Sequence, residues 1–136
     1  MLEKGKKVSE YILLEKLGSG GFGDVWKAEK RTVLDSNFFA LKFFRPKKDG
    51  VDFDKIGKEL AVWKQLRGLP HIISVIELDR FEDYVYVVSD FADGGSLESW
   101  LKAKPFGRAS SETEAVRIAL EILIGLENLD TAFTAA

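Results

Sequence analysis

The sequence contains no cysteine, so disulfides, thiolate metal sites and cysteine nucleophiles are excluded, and a reducing compartment fits. It also lacks any apolar run long enough to span a bilayer. Residues Met1 to Lys7 have no apolar run behind them, which is not the pattern of a secretory signal. Charge of one sign is missing too: 20 basic and 22 acidic side chains leave a formal charge of -2. No general field would draw nucleic acid or an anionic membrane, and Lys4 to Lys7 read as solvated surface. The expectation is a cytoplasmic protein with no nucleic-acid or membrane partner. What is present is 46% apolar, 31% charged and 12% aromatic residues over 136 positions, the profile of one globular domain.

Tyr11 to Leu17 is rich in branched and aromatic residues and runs into Gly18-Ser19-Gly20-Gly21-Phe22-Gly23, a strand entering a turn. Asp24 to Thr32 reads as a second strand. Asp35-Ser36-Asn37 supplies turn chemistry, and Phe38 to Phe44 is a third strand, apolar on both faces, that ends at Pro46 to Gly50. From Phe53 to Arg67 the residues Ile56, Leu60, Trp63 and Leu66 recur at helical steps, and Gly68 and Pro70 mark the end of that helix. Ile72 to Leu78 and Tyr84 to Phe91 read as a hairpin across Asp79 to Asp83, closing a five-stranded antiparallel sheet. After Asp93-Gly94-Gly95 a short helix runs from Ser96 to about Lys102. Ser111 and Glu114 make a capping box ahead of a long helix from Glu112 to about Leu129. The class is α+β, with a division at residues 1–92 and 93–136.

Three features carry chemistry. In Gly18-x-Gly20-x-x-Gly23-x-Val25, the missing Cβ atoms let backbone amides close over phosphate oxygens. The same spacing marks dinucleotide-binding folds, but those need a helix next, and here a strand follows. A ligand-free hairpin turn is the plain alternative. Lys42 stands in an apolar strand, where an ammonium needs a carboxylate or phosphate unless it snorkels to water. Glu59 adjoins Leu60 near the apolar face of the first helix, so one misplaced charge can answer the other.

In that order these residues resemble the eukaryotic-type protein kinases, including their bacterial members: the glycine loop with Val25, then Phe39-Ala40-Leu41-Lys42, then Glu59. Val87 to Leu97 is similar to the last small-lobe strand, the hinge and the next helix, and the likeness extends from Tyr11 to Leu129. The resemblance implies a small lobe followed by the first helices of a large lobe, and a site for ATP. Leu17, Val25 and Ala40 would sandwich the adenine, the backbone of Asp90 and Ala92 would bond its edge, Ser96 would lie near the ribose, and Ser89 would be a small gatekeeper. Lys42 would hold the α- and β-phosphates, with Glu59 fixing the lysine.

Phosphoryl transfer in this family also uses H-R-D-L-x-x-x-N and D-F-G, including the magnesium ligands, and neither motif occurs in the chain. Asp52-Phe53-Asp54 precedes a helix and Asp90-Phe91-Ala92 is the hinge, so both only begin like D-F-G; His71 is read as structural. Gly125 to Leu129 resembles the helix before the catalytic loop, but Asp130 to Ala136 follows, the pattern of a truncation, a changed reading frame or a designed cut. The expected role is therefore the ATP-binding portion of a serine/threonine-type kinase that does not transfer phosphate alone. The alternatives are a pseudokinase-like nucleotide or protein-docking module, and a remnant with no ligand. The long helix is apolar around much of its circumference, which predicts a protein partner or self-association through residues 112–129.

Overall fold

The computed structural model describes residues 1–20, 23–45 and 52–134. The strands are β1 (Lys7–Val8), β2 (Tyr11–Gly20), β3 (Gly23–Arg31), β4 (Ser36–Phe44), β5 (Val75–Phe81) and β6 (Tyr84–Asp90). They form one antiparallel sheet in the order β1-β2-β3-β4-β6-β5. The sheet has six strands where five were expected, because Lys7 and Val8 pair with Ile12 and Tyr11. Two residues are too few for an alternation pattern, so only their pairing reveals them. Gly21 and Phe22 of the glycine run, and the strand ending read at Pro46 to Gly50, lie outside the described residues.

The hairpin expected to turn over Asp79 to Asp83 closes instead on Glu82 and Asp83, with Glu82 at φ 54°. Phe81 pairs with Tyr84 and packs against the core, so it stays in the strand. The charged Asp79 and Arg80 resembled a loop, but β5 is a sheet edge and lets them face water.

Because side chains alternate across a strand, the sheet has two distinct faces. On one, Leu13, Trp26, Ala28, Leu41, Phe43, Tyr84, Tyr86 and Val88 join Val8 and Tyr11 in the main core. The Phe43 ring meets Tyr84 edge-on at 5.8 Å and Tyr86 at 5.5 Å between centroids. On the other face a smaller cluster forms from Val75, Val87 and Leu60, the last from helix α1 (Phe53–Gln65). Asp52 caps α1 by accepting the Asp54 N–H at 3.0 Å, and Gly68, at φ 85°, follows its end. Leu60 and Leu66 are buried as the periodicity predicts, whereas Trp63 is 44% exposed.

The chain divides into two compact units, Met1–Arg67 with Ile73–Phe91, and Gly68–Ile72 with Ala92–Ala136. The first contains the sheet and α1. The second contains α2 (Leu97–Lys102), a 3-10 turn (Pro105–Gly107) and α3 (Glu112–Thr134), which continues past the expected Leu129. Ser111 Oγ accepts the Glu114 N–H at 3.1 Å, but the Glu114 carboxylate takes the Ser110 N–H at 2.9 Å, so the capping box is shifted by one residue on its return side. Gly125 is buried where a Cβ would lie 2.7 Å from the His71 carbonyl oxygen, and Asn128 donates to the Pro70 carbonyl at 3.0 Å. Both contacts are made to backbone carbonyls, and the His71 side chain itself is exposed. Among the described residues no helix is long and apolar enough to cross a membrane.

Candidate functional site

Register determines which side chains can share a ligand. Val25 pairs with Lys42 and Lys42 with Val87; one step along, Lys27 pairs with Ala40 and Ala40 with Ser89. Residues two apart share a face, so these six side chains form two adjacent rows on the side opposite the main core. Phe44 belongs to the same face, and the Lys42 ammonium lies 5.2 Å from its ring centroid. Ala40 and Ser89 are small and adjacent, so the second row has a low, flat middle flanked by Val25 and Lys42.

The glycines differ in what demands them. Gly20 pairs with Gly23 at the end of the β2–β3 hairpin, and Gly18 pairs with Val25. A Cβ on Gly18 or Gly20 would meet nothing within 4 Å. On Gly23, at φ 108°, it would lie 2.1 Å from the Phe43 carbonyl oxygen. The fold therefore requires only the third glycine, and the first two leave open space beside the backbone, as the approach of a phosphate would need. Ser19 Oγ donates to Asp24 at 2.6 Å and Lys16 reaches the same carboxylate at 3.5 Å, which ties the hairpin together across its outer end. Leu17 sits at an irregularity in the ladder between Lys16 and Gly18 and is 44% exposed.

Glu59 projects from α1 with its side chain exposed and takes part in no ion pair among the described residues. It lies about 40° around the helix from Trp63, and the exposure of both marks the side of α1 that the sheet leaves uncovered. Helical periodicity alone sets this carboxylate near the apolar face.

At the end of β6, the Asp90 N–H donates to the Ser74 carbonyl at 3.0 Å and the Ser74 N–H donates to the Asp90 carboxylate at 3.2 Å. The Asp90 N–H is thus already used, and the Ser89 hydroxyl lies 3.5 Å from the Asp90 carbonyl. Ser74 escaped the sequence reading, since a lone serine ahead of a strand carries no pattern. Leu17, Gly18, Gly20, Gly23, Val25, Ala40, Lys42, Glu59, Ser89 and Asp90 all belong to the first unit, while Ala92 and Ser96 belong to the second. Ser96 is the N-cap of α2, where its hydroxyl accepts the Ser99 N–H at 3.1 Å and Ser99 Oγ accepts the Ser96 N–H at 3.2 Å. That reciprocal cap accounts for a serine at this position with or without a ribose nearby.

Comparison with known proteins places these features in context. The protein kinase domain family matches residues 11–133. A probable serine/threonine-protein kinase of Dictyostelium discoideum is 31% identical over 135 residues, covering 91% of this chain and 18% of its own length. Wee1-like protein kinase 2 of Xenopus tropicalis is 28% identical over 126 residues, covering 91% of this chain and 22% of its own. In the crystal structure of the PknI kinase domain of Mycobacterium tuberculosis the fold recurs with a TM-score of 0.73 at 20% identity, over 95% of this chain and 50% of that one. The chain thus spans about a fifth of these curated relatives.

Proposed function

Because the chain belongs to the protein kinase domain family, we propose that these residues are the ATP-holding portion of a serine/threonine-type protein kinase. The observation that carries this is the register that sets Lys42 beside Val25 and Val87, and Ala40 beside Ser89, on a face the main core does not use. The adenine packs against Leu17, Val25 and Ala40, with Ser89 behind it. Its edge meets the carbonyl of Asp90, the residue whose N–H is engaged by Ser74. Lys42 takes the α- and β-phosphates, the amides around Gly18 and Gly20 approach them, and Glu59 steadies the lysine once nucleotide is bound. The serine/threonine type takes support from the Dictyostelium relative. H-R-D-L-x-x-x-N and D-F-G are not among the 136 residues, so transfer of phosphate requires groups beyond them.

Titration with a fluorescent ATP analogue tests this. Saturable binding is expected, displaced by unlabelled ATP, and Lys42→Ala weakens it by about 10- to 100-fold, the size of a lost charge-assisted hydrogen bond. No saturable binding by the unmodified chain would overturn the proposal.

A second role has its own observation. Val116, Leu120, Ile122, Leu123 and Leu126 of α3 are each between 51% and 64% exposed. At 100° per residue they cover an arc of about 160° on one side of the helix. An apolar face of that width is a contact surface or an aggregation liability, and we assign it to self-association or a protein partner. In sedimentation equilibrium the apparent mass is expected to rise with concentration, and Leu120→Glu with Leu123→Glu is expected to return it to that of one chain. A wild-type mass constant at the single-chain value across concentrations would exclude self-association.

A further inference from the structure

Lys27 lies two residues beyond Val25 in β3 and so on the same face of the sheet. Its ammonium is 4.6 Å from the centroid of the Phe38 ring and 4.7 Å from that of Phe91. Both distances fall inside the range, about 6 Å, over which a ring face attracts a cation. Phe38 is the diagonal neighbour of Lys27, since Lys27 pairs with Ala40 two residues further along β4. Phe91 is not in the ladder; it directly follows β6. One cation thus joins two strands of the sheet to the residue at which the chain leaves it. All three side chains belong to the first compact unit, and Phe91 is its last residue.

The opposite side of this exit is held separately. The two hydrogen bonds between Asp90 and Ser74 fix the backbone one residue earlier, from the β5 side. Nothing in that pair constrains the Phe91 side chain or the peptide that leads on to Ala92. The lysine is half-buried, and no ion pair or hydrogen bond to it is formed among the described residues. A lysine that served only to solvate the surface would direct its ammonium to water, not between two rings.

We infer that Lys27 is a positioning residue for the hinge: held between Phe38 and Phe91, it fixes the backbone of Asp90 and Phe91 that borders the adenine. This rests on the nucleotide site proposed above. The lysine need not touch the nucleotide, and arginine, which also stacks on aromatic rings, can take its place.

Hydrogen exchange by mass spectrometry on peptides spanning residues 88–95, together with ATP titration, tests the inference on the wild type, Lys27→Ala and Lys27→Arg. Lys27→Ala is expected to speed exchange in the hinge peptides several-fold, to leave the peptides of β3 and β4 at wild-type rates, and to raise the ATP Kd about three- to tenfold. Lys27→Arg is expected to behave as the wild type in both. Unchanged hinge exchange in Lys27→Ala, a rise spread equally over all strands, or an unchanged Kd would each overturn it. If the wild type binds no ATP, the nucleotide site fails on that result alone, and the exchange rates still decide whether Lys27 holds the hinge.

Discussion

A Phe43→Ala variant is expected to lose about 4 kcal/mol of unfolding free energy, a large part of what a domain of this size has. Phe43 is 1% exposed and stands where two strands' worth of aromatics converge, against Tyr84 and Tyr86. Alanine removes the ring's burial, leaves a void that a sheet pinned by its own ladder cannot close, and deletes two aromatic pairs worth about 0.5–1.5 kcal/mol each. Urea denaturation followed by circular dichroism reads the loss. Val33→Ala, in the fully exposed turn between β3 and β4, is the control and should change the unfolding free energy by no more than about 0.5 kcal/mol. Equal midpoints for the two variants would mean that the centre of the core lies elsewhere.

Gly23→Ala is expected to destabilise by about 3 kcal/mol. Two effects add. The residue sits at φ 108°, which a Cβ disfavours, and that Cβ would lie 2.1 Å from the carbonyl oxygen of Phe43. Asp24 pairs with Phe43 in the same ladder, so the carbonyl cannot retreat without breaking the β3–β4 register. Gly18→Ala and Gly20→Ala meet no such obstacle. There the reduced freedom of the unfolded chain leaves stability unchanged or raised by up to about 1 kcal/mol. The same two substitutions narrow the space beside the backbone, so their effect is expected in the nucleotide titration instead. A thermal melt in which Gly23→Ala matches Gly20→Ala would remove the distinction between a glycine kept for the fold and glycines kept for a ligand.

Much of this is legible in the sequence. The glycine spacing, the lysine in an apolar strand and the strand-helix-strand order are local patterns, and they led to the protein kinase family that the comparison bears out. Trp63 and Glu59 show where local pattern stops: periodicity places both near the apolar stripe of α1, yet both are exposed while Leu60 and Leu66 are buried and Ile56 is half-buried. How wide a stripe is buried depends on the surface opposite it, which no window of helix sequence contains. Phe81 was misread for the same reason. A phenylalanine among charges looks like a loop until a partner strand and a core are there to receive it. Lys27 was within reach, since its two-residue offset from Val25 already placed it on the face of the candidate site; the missing information was Phe91, 64 residues away in sequence.

By itself the sequence determined the longer elements, their order and the chemistry each can offer, because helix and strand periods, turn residues and charge are properties of neighbours along the chain. Tertiary structure alone decided that Val25, Lys42 and Val87 share a row, that Gly23 cannot carry a Cβ while Gly18 and Gly20 can, and that Lys27 rests between two rings. Each of these depends on which distant backbone lies within a few ångströms, and that distance is set by strand register and packing, not by any run of residues.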